Sequence, residues 1–246
     1  MSSLQKELLG KLGMRDQISL HELCNAVQDV LGEELISIVL YGNATLHDYH
    51  PEMGDKKVLI VVKQIDISML KSVLKPINKA KELGFQSLMM TQRNLEASTD
   101  VFPIKYISMK ESHVLLKGQD VLEGLEIRHD YLRLRCEQEL RIVSQRLEEH
   151  YLNERGKLLK QAMCIEIMDF IETLRVAVTL KTKQMPSWSG AVEAVSKTYD
   201  IEASILSDII KLRNDEIKQG KKAIEELYAR FMSFVDELIG IVDQLD

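Results

Sequence analysis

The sequence predicts an α+β chain in two domains, a small α/β sheet domain over residues 1–125 and an all-α helical bundle over residues 126–246. Three observations carry that division. Short runs rich in β-branched residues alternate with helical periods over roughly the first 110 residues, the pattern of a small sheet with covering helices. After Gly124 the strand-like runs stop, and 3.6-residue apolar periods continue to the end with one proline, Pro186. The length of 246 residues suits one large domain or two small ones at about 150 residues each.

Each element has its own warrant. Ser19 and Glu22 make a capping-box pattern ahead of a helical period through Leu23, Val27, Val30 and Leu31, and Gly32 is a stop signal. Leu35–Tyr41 reads as a strand ending at Gly42, and residues 58–62 are apolar on both faces, as an interior strand is. Residues 66–83 suit a helix through Met69, Leu70, Val73, Leu74 and Ile77, which Pro76 should kink or end. Residues 85–90 and 102–107 are the remaining strand candidates. In the second domain Leu132, Cys136, Leu140, Val143 and Leu147 form one helical stripe, and Leu158, Leu159, Met163, Ile167, Phe170, Ile171, Leu174 and Val178 form another. A loop at 186–190 and short helices at 191–198 and 202–213 follow. The last stripe runs from Ala223 through Leu227, Phe231, Val235, Leu238 and Val242 to Leu245 in steps of three and four, near a heptad spacing. Phe234, Ile239 and Ile241 widen it, so this helix is expected to close the bundle and also offer a ridge to a second copy, giving a homodimer.

Composition excludes several classes. With 45% hydrophobic and 28% charged residues the chain is neither disordered nor dependent on staples. Its formal charge of −6 is spread over both halves, so no broad nucleic-acid or anionic-membrane surface is expected. Cys24, Cys136 and Cys164 lie far apart and form no CxxC pair, which points to a reducing compartment. The first residues lack the apolar core of a signal peptide, and no apolar run is long enough to span a bilayer. The expectation is a cytoplasmic protein without a membrane partner.

The chemistry concentrates between residues 40 and 62. There a strand runs into Gly42-Asn43, a polar loop follows, and Asp55-Lys56-Lys57 leads into the next apolar strand. This resembles the signature of the nucleotidyltransferase superfamily typified by DNA polymerase β and the aminoglycoside nucleotidyltransferases: strand, Gly-Ser turn, loop, then Asp-x-Asp entering a strand. The resemblance implies a small mixed-sheet nucleotidyltransferase-like domain in which the glycine admits a triphosphate to the backbone. It also implies two aspartates which, with a third carboxylate on a neighbouring strand, hold two divalent cations. Gly42 matches the glycine, Asn43 stands at the serine, Asp55 matches the first aspartate, and Lys57 stands at the second. Residues 100–110 resemble the Asp-Val-Phe-Pro-Ile-Glu-Phe-Leu-Asp segment of bacterial relatives, with Lys105 and Ser108 where those carry acids. The resemblance continues through residues 116–120 and 132–141 and covers about half the chain, from about residue 35 to 150.

A two-metal site needs about three carboxylates to balance its cations. Here one matches, and each ammonium group brought within roughly 4 Å of a divalent ion's position exchanges attraction for repulsion worth about 4 kcal/mol per unit charge pair at an effective dielectric near 20. Asp48 and Glu52 lie in the loop, outside the strand that fixes the geometry. The expectation is therefore a catalytically inactive nucleotidyltransferase-like protein with no metal, no cofactor and no catalytic residue, acting as a nucleotide-binding or protein-interaction module. Gly42, Asn43, Asp55 and Lys57 are its nucleotide-binding residues, Lys57 supplying the positive charge. Asn43 also suits a turn-shaping role, the reading favoured for it, since Asn tolerates left-handed backbone. The alternative is an active, magnesium-dependent nucleotidyltransferase modifying a small molecule or a protein.

Other groups read as structural. His47 and His50 have ligand chemistry but sit in a loop read as solvated. Cys136 and Cys164 lie on apolar stripes as core thiols. Arg213-Asn214 resembles the Arg-Asn…His motif of HEPN-type ribonucleases, but Lys218, Gln219 and Gly220 stand where the histidine would be, leaving no acid or base. Lys211, Lys218, Lys221 and Lys222 read as a solvated face, as do Arg133, Arg135, Arg141 and Arg146.

Overall fold

The first unit is organised around β1 (Leu35–Tyr41), which pairs antiparallel with β2 (Lys56–Val62) on one side and with β4 (His113–Gly118) on the other. β2 pairs parallel with β3 (Phe85–Thr91), so the order is β3-β2-β1-β4 and the sheet is mixed. The structure is a computed structural model, and it describes residues 9–10, 12–45 and 56–245. The chain divides between Ile127 and Arg128 into two compact units.

The pleat sends alternate residues of β1 and β2 to opposite faces. Val39, Tyr41, Leu59 and Val61 enter a core with Leu95, Tyr106, Met109, Leu122 and Leu125. That core is closed by α3 (Gln92–Ala97), α4 (Pro103–Glu111) and the turn after β4. The opposite face belongs to α1 (Met14–Leu31) and α2 (Ile67–Lys81), which pack on one another, α1 also touching β1 and α2 touching β3. Lys56 marks that side: its Nζ lies 2.9 Å from Asp16 Oδ1 of α1 and 4.7 Å from the Phe85 ring centroid. With both faces covered, residues 58–62 are fully buried, as an interior strand requires.

Two expectations are corrected and a third, that Pro76 kinks or ends its helix, is narrowed. α1 begins at Met14, not after Ser19, which is buried inside it; an S-x-x-E pair falls on one helix face anywhere along a helix, and here it lies within the helix rather than at its start. Residues 102–107 are no strand, because Pro103 at the first helical position pre-sets φ and starts α4. The fourth strand is β4, which sequence patterning missed. Pro76 does not end α2: capped by Asp66, whose carboxylate accepts from Met69 N at 2.7 Å, the helix continues to Lys81. The carbonyl released by the missing N–H belongs to exposed Ser72, where water can take it.

The second unit is helical. α6 (Lys157–Thr182) packs against α5 (Leu132–Asn153), α7 (Ala191–Tyr199), α8 (Ser204–Arg213) and α9 (Lys221–Asp243). Its Phe170 meets Phe231 and Phe234 of α9 edge-on, at 5.3 and 6.0 Å between centroids. Arg175 Nε donates to Pro186 O at 2.9 Å, fixing the loop that carries buried Trp188. The predicted stripes are core, except that Leu158 is exposed and Ala223 and Leu245 are half-buried. The apolar face of α9 is consumed here as well: Ile224, Leu227, Tyr228, Phe231, Phe234, Val235, Leu238, Ile239 and Val242 are all buried within this unit. Of the residues expected on the ridge, Ala223, Ile241 and Leu245 stay partly exposed.

Gly118 ends β4 at φ +83, and a Cβ there would lie 2.1 Å from Ile36 O. Gly118→Ala combines left-handed strain with a clash against backbone. Its cost should be about 3 kcal/mol, read as a fall in the denaturant midpoint; a change under about 0.5 kcal/mol would refute this packing.

Candidate functional site

The sheet register builds the site. At one end of the sheet Tyr41 lies opposite Lys57 on β2 and opposite His113 on β4, while Lys57 lies beside Gln86 on β3. Residues in register across strands share a face, so Gln86, Lys57, Tyr41 and His113 form one row on the face away from α1 and α2. Lys56 and Lys57 thus part by pleat alone, the first to Asp16 and the second to the site.

Beyond Tyr41 the chain turns at Gly42, φ +79, a left-handed conformation that favours glycine. The Lys57 stem runs past this turn, its Cδ 3.5 Å from where a Gly42 Cβ would sit. Asn43 begins a single 3₁₀ turn, Asn43–Thr45. Two hydroxyls tie the turn to the start of β4. Thr45 Oγ1 is 2.7 Å from Gly42 O and 2.8 Å from Ser112 O, and Ser112 Oγ is 2.7 Å from Thr45 O and 2.9 Å from Thr45 Oγ1. Each hydroxyl has one proton, so these contacts are alternatives within a small network that holds the turn.

The far end of the row is held by His113. Its Nδ1 is 3.1 Å from Lys110 O, and its Nε2 is 3.0 Å from both carboxylate oxygens of Asp120. Asp120 also accepts from the N–H groups of Leu122 and Glu123 at 3.2 and 3.1 Å. Burial works to raise the Asp120 carboxyl, but the His113 hydrogen bond and charge with the two N–H groups outweigh it and hold the pKa below the ordinary value.

Of the four residues expected to bind nucleotide, the fold brings Gly42, the Asn43 backbone and Lys57 together. Asp55 lies outside the described residues, as do His47, Asp48, His50 and Glu52. Lys105 and Ser108 are not on a strand neighbouring β2: both sit on α4. The residue next to Lys57 on the neighbouring strand is Gln86. Gln86, not Lys105 or Ser108, is thus the residue level with Lys57 on the adjoining strand β3, and its side chain is neutral. Gln86, Tyr41, His113 and Asp120 were not singled out from sequence, because cross-strand register and the turn after β4 join them. Among the described residues no three His, Cys, Asp or Glu side chains are grouped to hold a metal ion.

The arginines singled out in the second unit have structural partners. Glu137 accepts from Arg133 and Arg141 at 3.1 and 2.7 Å, Arg135 reaches Gln138 at 2.9 Å, and Arg146 lies 3.6 Å from Glu166. Arg213 Nε donates to Cys164 O at 3.1 Å and Asn214 caps α8, which gives both a packing role. Cys136 is fully buried, its thiol pushed up to about 12 by desolvation and by Glu139, while Cys164 is half-buried.

No family model matches the chain, and no curated protein matches its sequence. A solved structure does match: the spectinomycin adenyltransferase AAD(9) from Enterococcus faecialis, determined with ATP and spectinomycin. The two superpose with a TM-score of 0.61 over 91% of this chain and 98% of that one, at 11% sequence identity. The chain accordingly has a nucleotidyltransferase-like fold, a small mixed sheet followed by a helical region. No helix among the described residues is long and apolar enough to cross a membrane.

The Asp120–His113 pair makes a pH-dependent contribution with a defined sign. A carboxyl whose folded pKa is depressed stabilises above its unfolded value, about 3.9, and loses that stabilisation as pH falls through the folded value. Asp120→Asn should therefore be less stable than the parent protein by about 1 kcal/mol near pH 6, with the gap closing as pH falls below the unfolded value and through the depressed folded one. Chemical denaturation across this range checks it; a pH-independent gap would contradict the pairing.

Proposed function

We propose that this chain binds the phosphates of a nucleotide without divalent metal and does not transfer the nucleotidyl group. The observation that carries the reading is the row at the sheet end. Lys57 stands where the fold's second metal-binding aspartate is expected, its stem against the Gly42 turn, and the adjoining strand offers Gln86 in place of an acid. Within that row the side chains are one ammonium, one amide, one phenol and an imidazole already engaged by Lys110 O and Asp120, a set without a carboxylate that suits an anion and does not suit two divalent cations. Gly42 and the following turn supply backbone to the phosphates, and Lys57 supplies the charge that a metal supplies in a two-metal site. The ATP present with AAD(9) supports a nucleotide as the ligand class.

Isothermal titration with ATP and GTP, with magnesium and with chelator, tests this. Binding should be equal or tighter without magnesium, and Lys57→Met should weaken it about 10- to 100-fold, the range of a charge-assisted contact. Magnesium-strengthened binding with pyrophosphate release would establish the alternative, an active nucleotidyltransferase acting on a small molecule or a protein. No binding and no shift of melting temperature at millimolar nucleotide would overturn both.

A second prediction separates the carboxylate positions. Lys57→Asp alone should gain no transfer activity, because Gln86 leaves the cage incomplete. Lys57→Asp combined with Gln86→Glu should make ATP binding magnesium-dependent by titration. Activity in the single variant would place the third carboxylate elsewhere.

A further inference from the structure

α1 and α2 enclose a groove of about 590 Å³ on the face of the first unit away from the nucleotide row. Its floor is apolar, from Leu23, Ala26, Val30, Pro76 and Ala80, and Val30 remains 45% exposed there. The rims carry opposite charge. α1 contributes Glu22 and Asp29 to its rim, and α2 contributes Lys75 and Lys79 to the other. The segregation extends over the whole helices: α1 holds three acids and one arginine, whereas α2 holds four lysines and no acid. Within the chain the rims meet through Lys79 and Glu22, 2.7 Å apart, both more than half exposed.

We propose that this groove is the contact surface between two copies of the chain, related by a two-fold axis. An isologous interface places each patch on its own image. A two-fold that lays the groove of one copy on that of the other sets each acidic α1 against the partner's basic α2, while the apolar floors meet between them. Like-charged rims would repel in this arrangement, and uniformly neutral rims would give it no register. The occupant is thus specified by the charge pattern: a surface acidic on one side and basic on the other is complementary to itself.

The size sets the strength. α1, 18 residues long, spans about 27 Å at 1.5 Å per residue, and two helices each about 10 Å wide present a face of about 500 Å² per copy. That is about 1,000 Å² for the pair, at the lower edge of specific interfaces. The dimer should therefore be reversible, concentration-dependent and weakened by salt, since its register rests on exposed charges.

Sedimentation equilibrium on the full chain, from low micromolar to submillimolar protein, tests this. The mass should rise from 28.2 kDa toward twice that value, and the rise should diminish in high salt. Two charge-reversed variants make the test specific. Lys75→Glu with Lys79→Glu makes both rims acidic, and Glu22→Lys with Asp29→Lys makes both basic. Each should remain monomeric where the parent associates, and an equimolar mixture should form a heterodimer. Circular dichroism and nucleotide titration of each variant establish that it is folded. A parent monomeric at every concentration would overturn the proposal. So would variants that associate as the parent does, or two folded variants that fail to combine.

Discussion

The register of β2 against β1 is the constraint on which the first unit depends. Strand side chains alternate with a period of two, so a slip of one residue would exchange the two faces of β2. Residues 58–62 are apolar throughout and tolerate either face, so they do not choose the register. The choice falls to the ends. Lys56 has Asp16 and the Phe85 ring on one side, and the opposite pairing would bury Lys57 there and turn Lys56 toward Gly42. Gly118 guards β1 from the other side, since its missing Cβ lets the backbone approach Ile36 O where the β1–β4 ladder is irregular.

Because the register is fixed by structural contacts, the character of the site follows from which residue occupies each position in the row. The Thr45–Ser112 hydroxyl network holds the Gly42 turn to the start of β4, and His113 fastens that start to Asp120. These contacts pre-organise backbone and one ammonium group without using any carboxylate in the row. The backbone groups of such a turn are held by hydroxyls and need no cation to position them.

Much of this was legible in the sequence, and the failures have local causes. β1, β2 and β3 announced themselves through β-branched and apolar runs, and the bundle helices through their periods. β4 did not, because it is a short edge strand in which only Val114 is buried, so alternation is nearly absent. Residues 102–107 carry β-favouring side chains, but Pro103 at a helix start outweighed them. In the site, Gly42, Asn43 and Lys57 are close along the chain and share a motif. Gln86 reaches Lys57 only through a parallel pairing with α2 between the strands, and no local pattern encodes that register. His113 and Asp120 are seven residues apart, yet their contact depends on a turn whose geometry Gly118 alone suggests.

The apolar breadth of α9 carries a further lesson about periodicity. A wide stripe measures how much surface a helix must hide, not what hides it. Here α5, α6 and α8 together cover it, with Phe170 between Phe231 and Phe234, and the bundle needs no second chain to close. On α1 and α2 the situation is reversed: their apolar content is modest, their inner faces are satisfied by the sheet, and what remains outside is sorted by charge. Burial within one chain rewards hydrophobic area, whereas recognition between chains rewards a pattern that discriminates orientation. Asp16 is used inside the unit to hold Lys56, whereas the outer charges at Glu22, Asp29, Lys75 and Lys79 line the groove, and that separates them from the stripe on α9.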